Sequence, residues 1–171
     1  MKTTRRGRGP RITRDRAGVA LAAFVAVTAI APAIGIRQSP ANPRIARWYR
    51  GLAKPPFTPP SAAFGPVWTT LYALIAASGW RVWRAPSSPE RTRALVLWGV
   101  QQALNTAWSP LFFGEQRIVA ALADIILLDA SATAYALAAR RVDKPAAAMM
   151  IPYLAWLSLA TALNAEIVRR N

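Results

Sequence analysis

The sequence predicts an all-α membrane protein, a bundle of five transmembrane helices. Of its 171 residues, 54% are hydrophobic, and the mean hydropathy is +0.21, which is high for a water-soluble chain of this length. Five long apolar segments alternate with polar ones, and about 20 apolar residues are enough for a helix to cross a bilayer. The 22 Lys and Arg residues cluster beside these segments, as is typical of membrane topology.

Composition also excludes several classes of function. A net charge of +15 would suit a nucleic-acid partner, because phosphates attract clustered cations, but the positions of the cations beside apolar segments argue against that partner. The chain contains no Cys and no His, which excludes disulfides, thiolate chemistry, imidazole catalysis and Cys or His metal sites. We therefore expect no metal and no obligatory cofactor, and a bound haem would lack its usual axial ligands.

The first two segments are a basic tail and an apolar span. Residues 1–16 contain seven cations and little apolar surface, so we expect a disordered cytoplasmic tail. Residues 17–36 carry no charge and predict the first span. A cleaved signal peptide is the alternative, because small residues near Ala29, Ala31 and Ala33 follow a basic start, although the apolar stretch is longer than in an ordinary signal peptide.

A polar segment, residues 37–60, follows the first span and contains six prolines and five cations. Because proline interrupts helices, we expect this lid segment to form a loop over the bundle rather than a helix. Each later apolar run is long enough to cross a bilayer. Four further spans are predicted at residues 61–83, 94–113, 118–139 and 146–168.

The distribution of cations predicts an orientation. With five spans, 14 Lys and Arg residues lie on the side of the N-terminal tail and 8 on the opposite side. Cytoplasmic segments carry the excess of Lys and Arg, so the N-terminus is predicted to be cytoplasmic. This excess depends on the tail, which contributes seven of the 14 cations.

Three predicted spans carry aromatic stripes that also contain polar groups. Residues three, four and seven apart share one face of a helix. Together the stripes describe a largely apolar pocket for a planar aromatic molecule; ordinary helix packing, with asparagines linking the helices, is the alternative. The stripes are Phe64, Trp68 and Tyr72; Gln101, Asn105, Trp108 and Phe112; and Tyr153, Trp156, Ala160 and Asn164.

Two carboxylates, Asp124 and Asp129, lie inside the fourth predicted span. Charged groups within a membrane are costly and are often functional. Residues five apart on an α-helix point about 140° away from each other, so this pair is poorly placed for a catalytic dyad, and a structural role is equally consistent. The sequence has no Gly-rich phosphate loop, HExxH motif or nucleophile elbow, so conventional hydrolase or nucleotide chemistry is not predicted.

Four motifs occur in order along the chain: WYRGLAKPPFTPP at 48–60, FGPVWTTLY at 64–72, ALNTAWSPLFFG at 103–114 and PYLAWLSLATALN at 152–164. Together they resemble the TspO/MBR translocator protein family, whose members are also called tryptophan-rich sensory proteins or peripheral-type benzodiazepine receptors. The resemblance extends from Ala17 to the C-terminus and leaves out only the basic tail.

This resemblance implies a five-helix bundle, usually dimeric, with a cavity beneath the first loop that binds porphyrins, haem and synthetic aromatic ligands. It implies that Asn105 is a polar ligand contact. Phe57 stands where many members have tryptophan. The C-terminal LNAEIVRRN lacks the aromatic residue of the animal sterol motif, so cholesterol transport is not expected. By motif, Trp48, Pro55 and Phe57 belong to the lid, and Trp68, Asn105, Trp108, Trp156 and Ala160 to the pocket.

The expected function is therefore that of an integral membrane translocator or sensor that binds a tetrapyrrole. The resemblance implies a homodimer. The Arg- and Ala-rich composition and the departure from the animal C-terminus suggest a bacterial member, so a bacterial plasma membrane is the expected location. One alternative is an enzyme that degrades porphyrin with light and oxygen, in which the resemblance makes Trp68 and Trp156 the reactive residues. A regulatory membrane scaffold is another alternative.

Overall fold

The computed structural model of the protein describes residues 14–171, and within this range it is all-α, without strands. Residues 1–13 of the predicted tail lie outside the described residues, while Arg14 to Arg16 form the first turn of a helix. The elements are α1 (Arg14–Thr28), α2 (Ile30–Arg37), α3 (Pro43–Gly51), α4 (Ser61–Arg84), α5 (Pro89–Ser109), a π-helical turn (Pro110–Gly114), α6 (Ile118–Arg140), α7 (Lys144–Ala148) and α8 (Ile151–Arg170).

The lid segment contains a helix, α3, which corrects the expectation of a loop throughout. The side chain of Asn42 accepts a hydrogen bond from the amide of Arg44 at 3.0 Å, and this caps the start of the helix. Pro43 occupies the first turn, where a missing N–H costs no hydrogen bond. The other prolines that follow α3 lie beyond its end, so they do not interrupt it.

Two predicted spans are each divided into two helices. Ala29 separates α1 from α2, and Met149 and Met150 separate α7 from α8. Each division lies about one turn before a proline, Pro32 or Pro152. Proline has no N–H to donate to the carbonyl four residues earlier, which weakens the helix at that point.

The helices form a ring around one core. α1 packs on α4 and α2 on α5; α5 packs most extensively on α6, which in turn contacts α7 and α8. α4 and α8 are neighbours but touch only sparingly. The main core of the bundle is built mainly from α4, α5, α6 and α8. These four helices therefore position the aromatic stripes.

Polar and apolar side chains are distributed in the opposite sense to a water-soluble protein. Gln101 and Asn164 are 0% and 1% exposed, whereas Val19 and Leu137 are 72% and 61% exposed. Outward apolar and inward polar groups suit a hydrocarbon environment, where polar groups must find partners inside the protein. Within the part of the chain that the structure describes, three helical stretches are long and apolar enough to cross a membrane: Asp15–Arg37, Ile118–Arg140 and Lys144–Arg170.

Polar contacts at one end of the bundle join α4 to the segment between α6 and α7. Arg81 donates two hydrogen bonds to the carboxylate of Asp143, each 3.1 Å, and Asp143 also caps α7 by accepting from the amide of Ala146 at 2.7 Å. Partial burial raises the pKa of Asp143, but these hydrogen bonds and the Arg81 charge outweigh it, and the pKa lies below its ordinary value. When the pH is above the ordinary pKa of an aspartate, the ion pair is fully formed. Its contribution to stability is lost as the pH falls through the lowered pKa of Asp143.

A buried network lies beside this ion pair. Ser78 donates to the carbonyl of Ala146 at 2.8 Å and contacts the hydroxyl of Tyr135 at 2.7 Å. Ser78 and Tyr135 are both 0% exposed, so their hydroxyls depend on this contact for a partner. The network fixes α4, α6 and α7 at the end of the bundle opposite the lid segment.

Gly79 lies where three helices come closest together. A Cβ atom at this position would fall 2.6 Å from Nε1 of Trp98 in α5 and 2.8 Å from the ring of Phe24 in α1. The indole of Trp98 is itself fixed, because it donates to the carbonyl of Ile75 at 3.1 Å. Glycine therefore permits α1, α4 and α5 to pack at this distance.

Replacing Gly79 by alanine is expected to lower the free energy of unfolding by about 1–3 kcal/mol, because the added methyl must displace the rings of Trp98 and Phe24. Gly99→Ala is the matched control, since a Cβ there meets nothing within 4 Å and alanine favours a helix by about 1 kcal/mol. Thermal unfolding in detergent, followed by circular dichroism, measures both variants. A melting temperature of Gly79→Ala equal to that of Gly99→Ala would contradict the close packing at Gly79.

Candidate functional site

Aromatic side chains from α4 and α8 meet inside the bundle. Trp68 stacks on Tyr72 with ring centroids 5.1 Å apart, and the edges of Tyr153 and Trp156 approach Trp68 at 6.3 Å each. Phe64 meets Trp156 at 5.5 Å. Because residues four apart share a helix face, the spacing of Phe64, Trp68 and Tyr72 puts all three on the same side of α4. We call these five residues the inner cluster: Phe64, Trp68, Tyr72, Tyr153 and Trp156.

The amide of Asn105 joins the inner cluster to α5. Its Nδ2 donates to the hydroxyl of Tyr153 at 2.6 Å, and its Oδ1 accepts from the hydroxyl of Tyr72 at 3.3 Å. Asn105 is 6% exposed and Tyr153 is 0% exposed, so this contact is shielded from the surroundings. A molecule that bonds to Oδ1 of Asn105 must compete with Tyr72, whose hydrogen bond is the longer of the two.

A second group of aromatic side chains lies beneath α3. Trp108 stacks on Phe112 at 4.9 Å, the edge of Trp48 meets Phe112 at 5.8 Å, and Tyr49 meets Phe113 at 5.5 Å. The π-helical turn positions Phe112 and Phe113, because its wider turn changes the direction in which side chains leave the helix. We call these five residues the outer cluster: Trp48, Tyr49, Trp108, Phe112 and Phe113.

Trp108 of the outer cluster also bonds to α8. Its ring packs against both the main core and a smaller core of Phe112, Ala121 and Ile167 beneath the lid segment. Its indole N–H donates to Oδ1 of Asn164 at 3.2 Å, and Nδ2 of Asn164 donates to the carbonyl of Ile118 at 3.0 Å. The asparagine therefore fastens α5, α6 and α8 together near the lid segment.

Polar contacts hold the lid segment together and fasten it to the bundle. Within the segment, Lys54 donates to the carbonyls of Tyr49 and Leu52 at 2.6 and 3.0 Å, and its ammonium lies 4.7 Å above the Tyr49 ring. The side-chain amide of Asn171 accepts from the backbone N–H of Ala53 at 3.0 Å and donates to its carbonyl at 3.2 Å. Burial beneath these contacts raises the pKa of Tyr49, so its hydroxyl stays protonated at neutral pH.

The arginines of α3 lie on its outer face. Arg44, Arg47 and Arg50 are exposed, whereas Ile45 is buried and Trp48 is half-buried against the bundle. Within residues 14–171 none of the three arginines pairs with a carboxylate. These cations therefore face away from both clusters.

The indole N–H groups of the tryptophans differ in whether they have a hydrogen-bond partner. In residues 14–171 those of Trp48 and Trp83 have none, like those of the inner cluster. Trp80 donates to the carbonyl of Ala17 at 2.9 Å, and the N–H groups of Trp98 and Trp108 also have partners. Trp68 and Trp156 donate to no partner in the part of the chain that the structure describes. Both are half-buried, so each offers a hydrogen-bond donor beside an aromatic face.

The remaining predicted site residues lie outside the two clusters. Gln101 is fully buried, but its Nε2 donates to its neighbour Gln102 at 3.0 Å. Pro55 is buried in the lid segment, Phe57 is 47% exposed, and Ala160 packs at the edge of the main core. Among the described residues no group of three acidic side chains could hold a metal ion.

Sequence reasoning missed Tyr49 and Phe113 as members of the outer cluster. A signal for Tyr49 was available, because Ile45, Trp48, Tyr49 and Leu52 have helical spacing; the expectation of a loop concealed it. Phe113 gave no comparable signal, since its direction depends on the π-helical turn.

Comparisons with known proteins give a consistent result. The sequence profile of the TspO/MBR family matches residues 20–170. The Translocator protein of Ovis aries is 41% identical over 127 residues, which cover 73% of this chain and 75% of that protein. The Tryptophan-rich protein TspO of Chlorobaculum tepidum is 38% identical over 147 residues, covering 81% of this chain and 89% of that protein. The Tryptophan-rich sensory protein of Cereibacter sphaeroides is 37% identical over 124 residues, covering 72% and 77%.

Replacing Tyr153 by phenylalanine is expected to lower the free energy of unfolding by about 1–3 kcal/mol, because the buried N–H of Asn105 loses its acceptor. Tyr72→Phe is the matched control, since it removes only the longer bond from a half-buried ring, and a loss below about 1 kcal/mol is expected. Unfolding titrations in mixed detergent measure both variants. An equal or larger loss for Tyr72→Phe would contradict this account of the Asn105 contacts.

Proposed function

Because the chain belongs to the TspO/MBR family, we propose that it is an integral membrane translocator or sensor that binds a flat tetrapyrrole, a porphyrin or haem. The proposed site is the inner cluster together with Asn105 and the lid segment. One observation carries the proposal: five aromatic rings from α4 and α8 lie in contact, and the indole N–H groups of two of them, Trp68 and Trp156, have no partner among the described residues.

The chemistry of these groups suits a tetrapyrrole. Aromatic faces attract the faces and edges of a second π-system, and a few convergent donors are enough to orient a largely apolar ligand. The indoles of Trp68 and Trp156 would donate to the polar groups of the ligand, and Oδ1 of Asn105 would accept a hydrogen bond from it if Tyr72 gives way. The arginines of α3 face outward, so we assign them no contact with a ligand beneath the lid segment.

We also propose that five segments cross the membrane and that the N-terminus is cytoplasmic, in a bacterial plasma membrane. α4 and α5, with 24 and 21 residues, would be the second and third spans, their inward polar groups being paired or buried between helices. Arg81 and Lys144 lie at the end opposite the lid segment, where cations would be cytoplasmic. We further propose a homodimer, which the mass of the detergent-solubilised protein tests.

Single cysteines placed in the connections between spans should test this topology, because the chain has none of its own. In intact cells we expect a membrane-impermeant thiol reagent to label Ser39→Cys in the lid segment and to leave Ser87→Cys, between α4 and α5, unlabelled. After the membrane is permeabilised both should react. Labelling of Ser87→Cys in intact cells, without labelling of Ser39→Cys, would reverse the orientation.

Light-dependent porphyrin breakdown is a second candidate function, with oxygen as the oxidant. The observation that favours it is the continuous contact of oxidisable rings: Trp156 touches Trp68, which stacks on Tyr72, whose hydroxyl reaches Asn105. An indole next to a light-excited porphyrin could donate an electron to it and regain that electron from the porphyrin–oxygen adduct as the adduct goes on to product, so that oxygen is the net oxidant of the porphyrin. This activity needs neither His nor Cys.

Titration with protoporphyrin IX in the dark and in light distinguishes the two functions. In the dark, protoporphyrin IX should quench the tryptophan fluorescence of the wild type. Trp68→Phe and Asn105→Ala should each weaken binding about tenfold, equivalent to about 1.4 kcal/mol. Trp83→Phe, at the opposite end of α4, is the control and should bind as wild type.

Illumination of the complex then tests the enzymatic alternative. An unchanged porphyrin spectrum in light supports binding alone, whereas bleaching that disappears in Trp156→Phe supports breakdown. Failure of the wild type to bind protoporphyrin IX, or wild-type affinity in both Trp68→Phe and Asn105→Ala, would overturn the proposed site.

A further inference from the structure

A cleft separates α4 from α8 on the outside of the bundle. These two helices run in opposite directions and touch only sparingly, and in residues 14–171 no hydrogen bond or ion pair joins them directly. The cleft has a volume of about 500 Å³. It is lined by Pro66, Val67, Thr70 and Leu71 of α4 and by Pro152, Ala155, Trp156 and Leu159 of α8.

The chemistry of the cleft suits a hydrocarbon environment. Its rim, at Pro66, Thr70 and Ala155, is exposed, whereas its floor contains Leu71, which is 3% exposed. The lining has no charged side chain, and the hydroxyl of Thr70 donates to the carbonyl of Pro66 at 3.1 Å. An internally paired hydroxyl carries little cost in lipid, so the cleft opens toward acyl chains rather than toward water.

Trp156 belongs both to the cleft and to the inner cluster. Its indole lines the cleft and at the same time meets Phe64 at 5.5 Å and Trp68 at 6.3 Å. The same ring is therefore a wall of the cleft and a wall of the inner cluster. A rotation of this one side chain would connect them.

The lid side of the inner cluster is fastened by hydrogen bonds as well as by ring contacts. The outer cluster and the two hydrogen bonds between Asn171 and Ala53 hold the lid segment on the bundle. Opening this side would break those hydrogen bonds, whereas parting α4 from α8 would separate the rings of Trp156 and Trp68 and break no direct hydrogen bond. The route that breaks no direct hydrogen bond leads sideways, into the bilayer.

We propose that the ligand reaches the inner cluster laterally from the membrane, through the cleft between α4 and α8, with Trp156 as the gate. This inference rests on the proposed function, because the occupant is the same flat tetrapyrrole. Its apolar macrocycle partitions into the hydrocarbon region while its propionates stay among the headgroups, so the ring reaches the cleft already free of water.

Cross-linking tests the route, since every cysteine in the chain would be an introduced one. In one variant Thr70→Cys and Ala155→Cys span the cleft; in the matched control Ala53→Cys and Asn171→Cys span the lid contact. Each pair is joined by a short bis-maleimide, and stopped-flow fluorescence follows protoporphyrin IX binding to protein in lipid nanodiscs. Each variant before cross-linking controls for folding.

Joining Thr70→Cys to Ala155→Cys should slow association and dissociation at least tenfold and leave the Kd unchanged, while the lid cross-link should leave both rates unchanged. Ala155→Phe, which fills the cleft without a reagent, should slow the same two rates. Unchanged rates after cross-linking the cleft, as expected if a lipid acyl chain merely fills it, would overturn the lateral route. A lid cross-link that slows both rates would also overturn it. If the wild type fails to bind, the proposed function itself falls with it.

Discussion

A polar side chain inside a membrane bundle has no water to bond with and must find partners among its neighbouring helices. Asn105 does so twice, toward Tyr72 on α4 and toward Tyr153 on α8. Because α4 and α8 share no direct hydrogen bond in the described residues, this amide on α5 holds their aromatic faces in register. The inner cluster therefore depends on a helix that contributes no ring to it.

The two ends of the bundle are built differently. Opposite the lid segment, Arg81, Asp143 and the buried Ser78 and Tyr135 form a polar junction. Beneath the lid segment, stacked and edge-on rings do most of the packing, and hydrogen bonds close the margin. A charged junction is rigid because its geometry is directional, whereas aromatic contacts tolerate rotation. The difference suits a bundle that is anchored by polar bonds at one end and closed by aromatic packing at the other.

Sequence reasoning was most accurate where apolar runs end at charges. The predicted segments 61–83 and 118–139 each stop one residue short of α4 and α6, because Arg residues mark both helix ends. It was least accurate where capping decides the structure: Ser88 and Pro89 begin α5 five residues before the predicted segment at 94, since hydropathy locates the apolar part of a helix and ignores its polar first turn. The family membership was predicted from four motifs and is confirmed.

For the candidate site, helical spacing put Trp68 with Tyr72 on one face of α4 and Tyr153 with Trp156 on one face of α8, and the structure brings these rings into contact. That they bind a ligand stays a prediction. Gln101 lies four residues before Asn105, on the same face of α5, and yet its side chain bonds to Gln102. Spacing specifies an angle around the helix axis, and only the neighbouring helices decide what occupies that direction.

The hydrogen bonds between Asn171 and Ala53 have a thermodynamic consequence. The same helix, α8, carries Trp156 near its start and ends just before Asn171, which pairs with the lid segment. Displacement of α8 at the cleft is thus mechanically linked to the strength of the lid contact. Such linkage is reciprocal, because a change at one site that alters the binding free energy at the other is itself favoured or opposed by binding there to the same extent. Loosening the lid contact from the aqueous side would then change the affinity for a molecule bound at the inner cluster without touching it, whereas a cross-link that keeps the contact in place would not.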